Sequence, residues 1–172
     1  MTAKIVFGGG CFWCTETIFL EVDGVIAVRS GYSGGNIKNP AYREVCTGRT
    51  GHAEVIEVTY NDEIVSYKDL VALHLVTHDP TTLNAQGADR GTQYRSIIFY
   101  NNEQEKEIAL ATIKEIQEGY SNAIVTEVTP FEVFYEAEQE HQDFYKNNPD
   151  YGYCRVVIEP KLQKFRELYS KL

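Results

Sequence analysis

The chain has 172 residues and a formal net charge of −9, with 43% hydrophobic and 24% charged residues. That length gives material for one buried core, so residues 1–172 are expected to form one domain, and the composition excludes a disordered or fibrous chain. Surplus carboxylate repels phosphate and no Lys/Arg run offers a basic patch, so a nucleic-acid partner is not expected.

Lys4 to Phe7 reads as a buried strand that ends at Gly8-Gly9-Gly10. From Cys11 the apolar residues Phe12, Ile18, Phe19 and Val22 recur at roughly helical spacing, which predicts a helix starting near Cys11. Val25 to Tyr32 is β-rich and reads as a second strand. Asn36 to Ala53 is turn-rich, with a short helical turn expected at Tyr42 to Cys46. Val55 to Tyr60 alternates as a strand does. Ser66 is placed to cap a helix through Leu70, Leu73 and Val76. Asp79 to Tyr94 is a long polar loop of the kind that often carries function.

Ser96 to Tyr100 reads as a strand, and Asn102 to Tyr120 as an amphipathic helix with Gly119 near its end. Val125 to Tyr135 suggests a further strand interrupted at Pro130, and Glu138 to Lys146 is helical in character. The tail holds Tyr153-Cys154, an apolar Val156-Val157-Ile158, and an amphipathic segment from Lys161 to Leu172. The order strand, helix, strand, strand, helix, strand predicts an α+β fold. We expect a two-layer sandwich with a ferredoxin-like split βαβ core and a loop-rich C-terminal extension.

No apolar stretch is long enough to cross a bilayer, and the first residues lack the pattern of a signal peptide. The expectation is a cytoplasmic protein, in which four cysteines are catalytic, metal-bound or buried rather than bridged. Gly8-Gly9-Gly10-Cys11-Phe12-Trp13-Cys14 is the most informative stretch. Glycines permit a sharp turn, and a cysteine in the first turn of a helix faces free N–H groups and the positive dipole end. Both effects favour the thiolate, which is the reactive form. Phe12 and Trp13 offer an apolar wall for a small greasy group. A buried structural cysteine with core aromatics fits the same residues. Cys11 and Cys14 also form a C-x-x-C, which admits a dithiol or half of a zinc site. Cys46 and Cys154 stand alone, so the ligands for zinc are missing and no metal is expected.

Gly10-Cys11-Phe12-Trp13 resembles the signature of the peptide methionine sulfoxide reductase A family. Tyr42-Arg43-Glu44-Val45-Cys46-Thr47-Gly48-Arg49-Thr50-Gly51-His52-Ala53-Glu54 is similar to the family's second motif, and Asp89-Arg90-Gly91-Thr92-Gln93-Tyr94-Arg95-Ser96 to its third. Tyr153-Cys154 with Pro160-Lys161 is similar to the C-terminal part of many members. The likeness runs from about Ile5 to Lys161.

The resemblance implies reduction of the S epimer of methionine sulfoxide, free or protein-bound. Sulfoxide oxygen leaves only with a proton, so such a site needs a nucleophile, an acid and donors around the oxygen. The resemblance makes Cys11 the nucleophile, Glu54 the acid, Tyr42 and Tyr94 the oxygen-holding phenols, and Asp89 the acceptor for the substrate's backbone nitrogen. It makes Phe12 and Trp13 the methyl pocket. Oxidised to a sulfenic acid, Cys11 needs a second thiol. Cys154 matches the family's recycling position, with Asn147 to Asp150 and Gly152 expected to give it mobility. Cys14 stands where many relatives carry glycine and is the alternative resolving thiol. The resemblance also implies thioredoxin as reductant, no metal or organic cofactor, and a monomer without nucleic-acid or membrane partners. Two other functions remain open on the residues: a general thiol–disulfide oxidoreductase using Cys11 and Cys14, and a module that binds methionine-containing segments without turning them over.

Overall fold

The computed structural model describes residues 1–170. Strand β1 (Thr2–Gly8) leads through the glycine bend into helix α1 (Phe12–Phe19), and β2 (Val25–Ser33) follows. A short helix α2 (Tyr42–Cys46) precedes β3 (Ala53–Asn61), which leads to helix α3 (Tyr67–Val76). Two brief strands, β4 (Ala85–Gln86) and β5 (Asp89–Arg90), form a hairpin of their own within the expected polar loop. A 3-10 turn at Thr92–Tyr94 then delivers the chain to β6 (Ile97–Tyr100) and helix α4 (Glu103–Gln117).

The main sheet has six strands in the order β7-β6-β1-β3-β2-β8, with β7 at Glu127–Pro130 and β8 at Tyr135–Glu136. All neighbours are antiparallel except β6 and β7. Hydrophobic alternation divides the side chains between the two faces of this sheet. Ile5, Phe7, Ile56, Val58 and Ile98 point to one face and pack against buried residues of α1, α3, α4 and the C-terminal helix α6 (Glu159–Tyr169). Val6, Val55, Ile97 and Phe99 point to the other face, where Phe131 and Phe134 cover them. Helices therefore stack on one side of a mixed sheet, the α+β arrangement anticipated from the order of elements.

Caps explain where two helices begin. The Ser66 hydroxyl accepts the Asp69 N–H at 3.0 Å and the Asn102 side chain accepts the Glu105 N–H at 2.8 Å. Differences from the sequence reading gather after residue 125. The strand expected over Val125 to Tyr135 is two separate strands, because Glu127–Pro130 pairs with β6 and Tyr135–Glu136 pairs with β2 on the far edge. The helix expected over Glu138 to Lys146 breaks into a 3-10 turn at Gln139–His141 and a short helix α5 (Phe144–Asn147), separated where Asp143 adopts φ 51°. The C-terminal extension is less loop-rich than expected. A π-helical turn at Cys154–Ile158 runs directly into α6. The last part of the amphipathic Lys161 to Leu172 segment lies outside the described residues.

Candidate active site

The glycine bend is shaped by what surrounds it. A Cβ on Gly8 would lie 2.3 Å from the Glu54 carbonyl oxygen, so only glycine lets β1 approach β3 here. Gly10 has φ +82°, and its N–H donates to the Tyr94 carbonyl at 3.0 Å. From α3, the His74 Nε2–H donates to the Gly8 carbonyl at 2.8 Å. The bend thus fixes three neighbours at once: Glu54 on β3, Tyr94 on the 3-10 turn, and the start of α1.

Cys11 is the N-cap of α1, with φ −69° and ψ 131°, and its side chain accepts no capping bond. The next residue ties the helix end to Glu54, because the Phe12 N–H donates to Glu54 Oε1 at 3.1 Å. Among the described residues Glu54 Oε2 has no hydrogen-bond partner. Glu54 is 1% exposed. Burial pushes its carboxyl up to about 8, against the Phe12 N–H bond, which favours the ionised form; the charge of Asp89 pushes further up. A carboxyl in that state carries a proton at neutral pH.

Cys11 is 8% exposed, and its thiol is held well above its ordinary range rather than lowered as the sequence suggested. Burial is the main cause, followed by the charge on Glu54 and then that on Cys14; the helix-end N–H of Trp13 works in the opposite direction but does not win. The helix start does favour the anion, as its position implied. Desolvation and a neighbouring carboxyl outweigh it, a balance that depends on long-range packing and is invisible in local sequence.

The aromatic residues form one cluster. The Phe12 ring lies 5.7 Å from Tyr32, 6.3 Å from Tyr42 and 5.6 Å from His141, centroid to centroid. Trp13 stacks on Phe144 at 3.7 Å with 5° between the planes, and meets Tyr151 and Tyr153 edge-on. Its indole N–H donates to His141 Nδ1 at 3.1 Å. Tyr42 packs on His141 at 4.3 Å, and its backbone N–H donates to Glu138 Oε2 at 2.9 Å. The same Glu138 carboxylate accepts the Tyr32 hydroxyl at 3.0 Å through Oε1. Tyr42 and Tyr94 both have phenols pushed upward, chiefly by burial and next by the charge on Glu54. Both therefore stay protonated donors, and both sense Glu54.

Asp89 accepts the Tyr153 hydroxyl at 2.6 Å, and the same hydroxyl lies 3.9 Å from Cys14 Sγ. Cys154 follows at once, wholly buried in the π-helical turn rather than in the open stretch that Gly152 and the preceding polar residues suggested. Cys46 is exposed at the end of α2. All four cysteines are free thiols. Among the described residues no group of three or more His, Cys, Asp and Glu is placed to hold a metal ion.

Glu54, Tyr42, Tyr94, Phe12, Trp13 and Asp89 thus converge on the start of α1, with Cys14 one turn along it. A sequence model of the family described as Peptide methionine sulfoxide reductase matches residues 3–172. The chain belongs to the peptide methionine sulfoxide reductase family. The Peptide methionine sulfoxide reductase MsrA of Saccharolobus solfataricus is 53% identical over 162 residues, which is 94% of this chain and 92% of that protein. The solved methionine sulfoxide reductase A of Corynebacterium diphtheriae gives a TM-score of 0.80 at 38% identity, covering 90% of this chain and 78% of its own. Mxr1 from Saccharomyces cerevisiae in reduced form gives 0.84 at 34% identity over 89% of each chain. Mxr1 has also been solved in complex with Trx2; at 24% identity and a TM-score of 0.60 that structure is similar to this chain in fold.

Two residues beside this family's motifs escaped the sequence reading. His141, which receives the Trp13 indole N–H, lies in a segment read only as helical. Glu16 is 1% exposed on α1 and its carboxylate accepts the Ser30 hydroxyl at 3.3 Å. A signal for Glu16 was present: it follows Phe12 by four residues and precedes Phe19 by three, so it sits on the apolar stripe of the helix.

Proposed function

We propose that the chain reduces the S epimer of methionine sulfoxide, free or within proteins, by nucleophilic attack of Cys11. One observation carries the reading: Glu54 is a buried carboxyl, pushed up to about 8, bonded to the first N–H of the helix that Cys11 caps. It is an acid kept protonated beside a nucleophile, which is what a sulfoxide oxygen needs in order to leave. Tyr42 and Tyr94 add two phenol donors near the same oxygen. Phe12 and Trp13 wall the methyl group, and Asp89 accepts the substrate's backbone N–H. Cofactor chemistry has no part in this scheme.

The step balances as follows. The Cys11 sulfur bonds to the sulfoxide sulfur while Glu54 protonates the oxygen, and the proton that the thiol gives up restores Glu54. The oxygen then ends on Cys11 as a sulfenic acid, and methionine departs reduced by two electrons. A second thiol condenses with the sulfenic acid, forming a disulfide and releasing water. We assign that thiol to Cys154. Cys14 competes, since its backbone N–H bonds to the Cys11 carbonyl at 3.1 Å in the opening turn of α1, but a disulfide within a regular helical turn requires distortion. Burial of Cys154 means that its π-helical turn must open first; such turns are rare and cluster at functional places. Thioredoxin, which the family implies as reductant, then exchanges with the disulfide. Four free thiols suit a reducing compartment such as the cytoplasm, and we expect a monomer. We further take residues 1–172 as one domain and its core as a ferredoxin-like split βαβ unit, on the order β6-β1-β3-β2 with α1 and α3 as crossovers.

The test is turnover of a methionine sulfoxide peptide of defined sulfur configuration, with dithiothreitol as reductant. Methionine should form from one epimer only, and Cys11→Ser should abolish it; activity retained in that variant would sink the assignment. Trapping the oxidised protein after one turnover and mapping its disulfide by mass spectrometry should find Cys11 joined to Cys154. A Cys11–Cys14 bond would transfer the resolving role. Reduction of insulin disulfides with no sulfoxide turnover would instead favour a general oxidoreductase.

A further inference from the structure

We infer that Arg95 is a positioning residue for the reaction: its guanidinium clamps the turn that carries Tyr94 to the loop that leads into Glu54, and so sets the Tyr94 phenol against the Glu54 carboxyl. The catalytic half of this statement rests on the function proposed above. The guanidinium reaches two segments that lie far apart in the chain. Its Nη1–H donates to the Thr92 carbonyl and its Nη2–H to the Gly51 carbonyl, both at 2.9 Å. Thr92 stands two residues before Tyr94, and Gly51 three before Glu54. Two short charge-assisted bonds from one rigid plane fix direction as well as distance, which a lysine ammonium cannot do.

The surroundings show what the clamp adds. The loop before Glu54 has a fastening of its own on the far side. His52 Nδ1 accepts the Gly35 N–H at 3.0 Å, so its Nε2 carries the proton and donates to the Ile37 carbonyl at 2.6 Å. The turn, for its part, is tied to two other elements of the site. The Gly10 N–H reaches the Tyr94 carbonyl, and the Gln93 Nε2–H donates to the Cys46 carbonyl at 3.3 Å, at the end of the helix that carries Tyr42. Arg95 adds the tie between this turn and the entry to β3. An ion pair explains the residue less well. Glu127 approaches Nε at 3.6 Å with its own side chain half exposed, and Nε makes no hydrogen bond among the described residues. Pairs as open as that contribute little. The Arg95 side chain is only 13% exposed and directs its short bonds to the two carbonyls instead.

Arg95→Lys keeps the charge but offers one donor head for two carbonyls. With a methionine sulfoxide peptide its saturating single-turnover rate should fall roughly 10- to 100-fold, the scale of a misplaced catalytic group, while KM stays within about three-fold. In a Tyr94→Phe background, where no phenol is left to place, the same substitution should cost less than about three-fold. Glu127→Gln, which removes the ion pair and leaves the clamp, should keep the wild-type rate. An unchanged rate in Arg95→Lys overturns the proposal. So does a full penalty in the Tyr94→Phe background, or an equal loss in Glu127→Gln. Arg95→Gln, which also retains a single donor head, carries the same expectations should the lysine variant fail to fold. Fluorotyrosine incorporated at Tyr94 alone gives a readout that needs no turnover. Its fluorine resonance in the substrate-free protein should move on Arg95→Lys, and an unmoved resonance overturns the clamp. Wild-type protein inert toward sulfoxides would remove the function reading instead, leaving the fluorine resonance to decide the positioning by itself.

Discussion

Glu54 and Cys11 share a problem that each helps the other solve. Both are buried, both resist ionisation, and each one's charge would raise the other's proton affinity. In the proposed mechanism they hold between them the proton that the departing oxygen requires. Glu54→Gln should slow sulfenic acid formation by about 100-fold or more, read as the single-turnover rate at saturating substrate. The pH profile carries a sign. An acid must be protonated to act, so that rate should fall as pH rises through about 8, and the falling limb should vanish in Glu54→Gln. A limb that persists unchanged belongs to another group. The sequence offered Glu54 as an acid only through the motif around it. Its burial depends on β2, α1 and the glycine bend meeting above β3, and none of the three is a chain neighbour of Glu54. Phe12 and Trp13 were legible from the start, since their place beside Cys11 is local. Glu16 was not, because a carboxyl in an apolar stripe shows its partner, the Ser30 hydroxyl on β2, only once the fold is seen.

At the scale of elements, the strand-to-helix bend sets the spacing between Cys11 and Glu54. Gly8→Ala forces a methyl into the Glu54 carbonyl, so β1 must draw away from β3. The expected result is a loss of roughly 1–3 kcal/mol in denaturant unfolding, with activity falling further than stability explains, because the shift moves Glu54 relative to α1. Elements with local signals were readable: β1 as a buried apolar run, β3 from alternation, α3 from Ser66, α4 from its amphipathic pattern. Elements made by distant partners were not. The two-residue strand Tyr135–Glu136 exists because Gly31 and Tyr32 pair with it. The break at Asp143 exists because tertiary contacts hold a left-handed residue there. The π-helical turn at Cys154–Ile158 likewise has no local pattern that separates it from an ordinary apolar run.

For the molecule as a whole, buried titratable groups make stability depend on pH in two opposed ways. Glu16 and Glu54 are raised to about 7 and about 8 from an ordinary 4.5. Their folded forms keep protons that the unfolded chain gives up, so stability declines as pH rises from about 4.5 through those values. His74 and His78 are held below 6.5, the latter at about 4, by burial first. They take up protons on unfolding, so stability rises with pH up to about 6.5. Above that only the acids remain. Tm should therefore fall between pH 6.5 and 8 by a few degrees, about 1–2 kcal/mol. Glu54→Gln should flatten the slope; an equal slope in the variant would place its cause elsewhere.

The Tyr153 hydroxyl bonded to Asp89 has a consequence for how tightly the protein can grip a client. In the proposed function a peptide amide seeks that carboxylate, whose Oδ2 is already engaged by the chain's own tail, one residue before the thiol assigned to recycling. An amide that takes Oδ2 displaces the phenol, and its observed affinity is then discounted by the fraction of molecules already vacated. Tyr153→Phe keeps the ring and gives up the claim, so its KM for sulfoxide peptides should fall. A KM that stays put or climbs would mean that tenant and visitor never contend for the same seat.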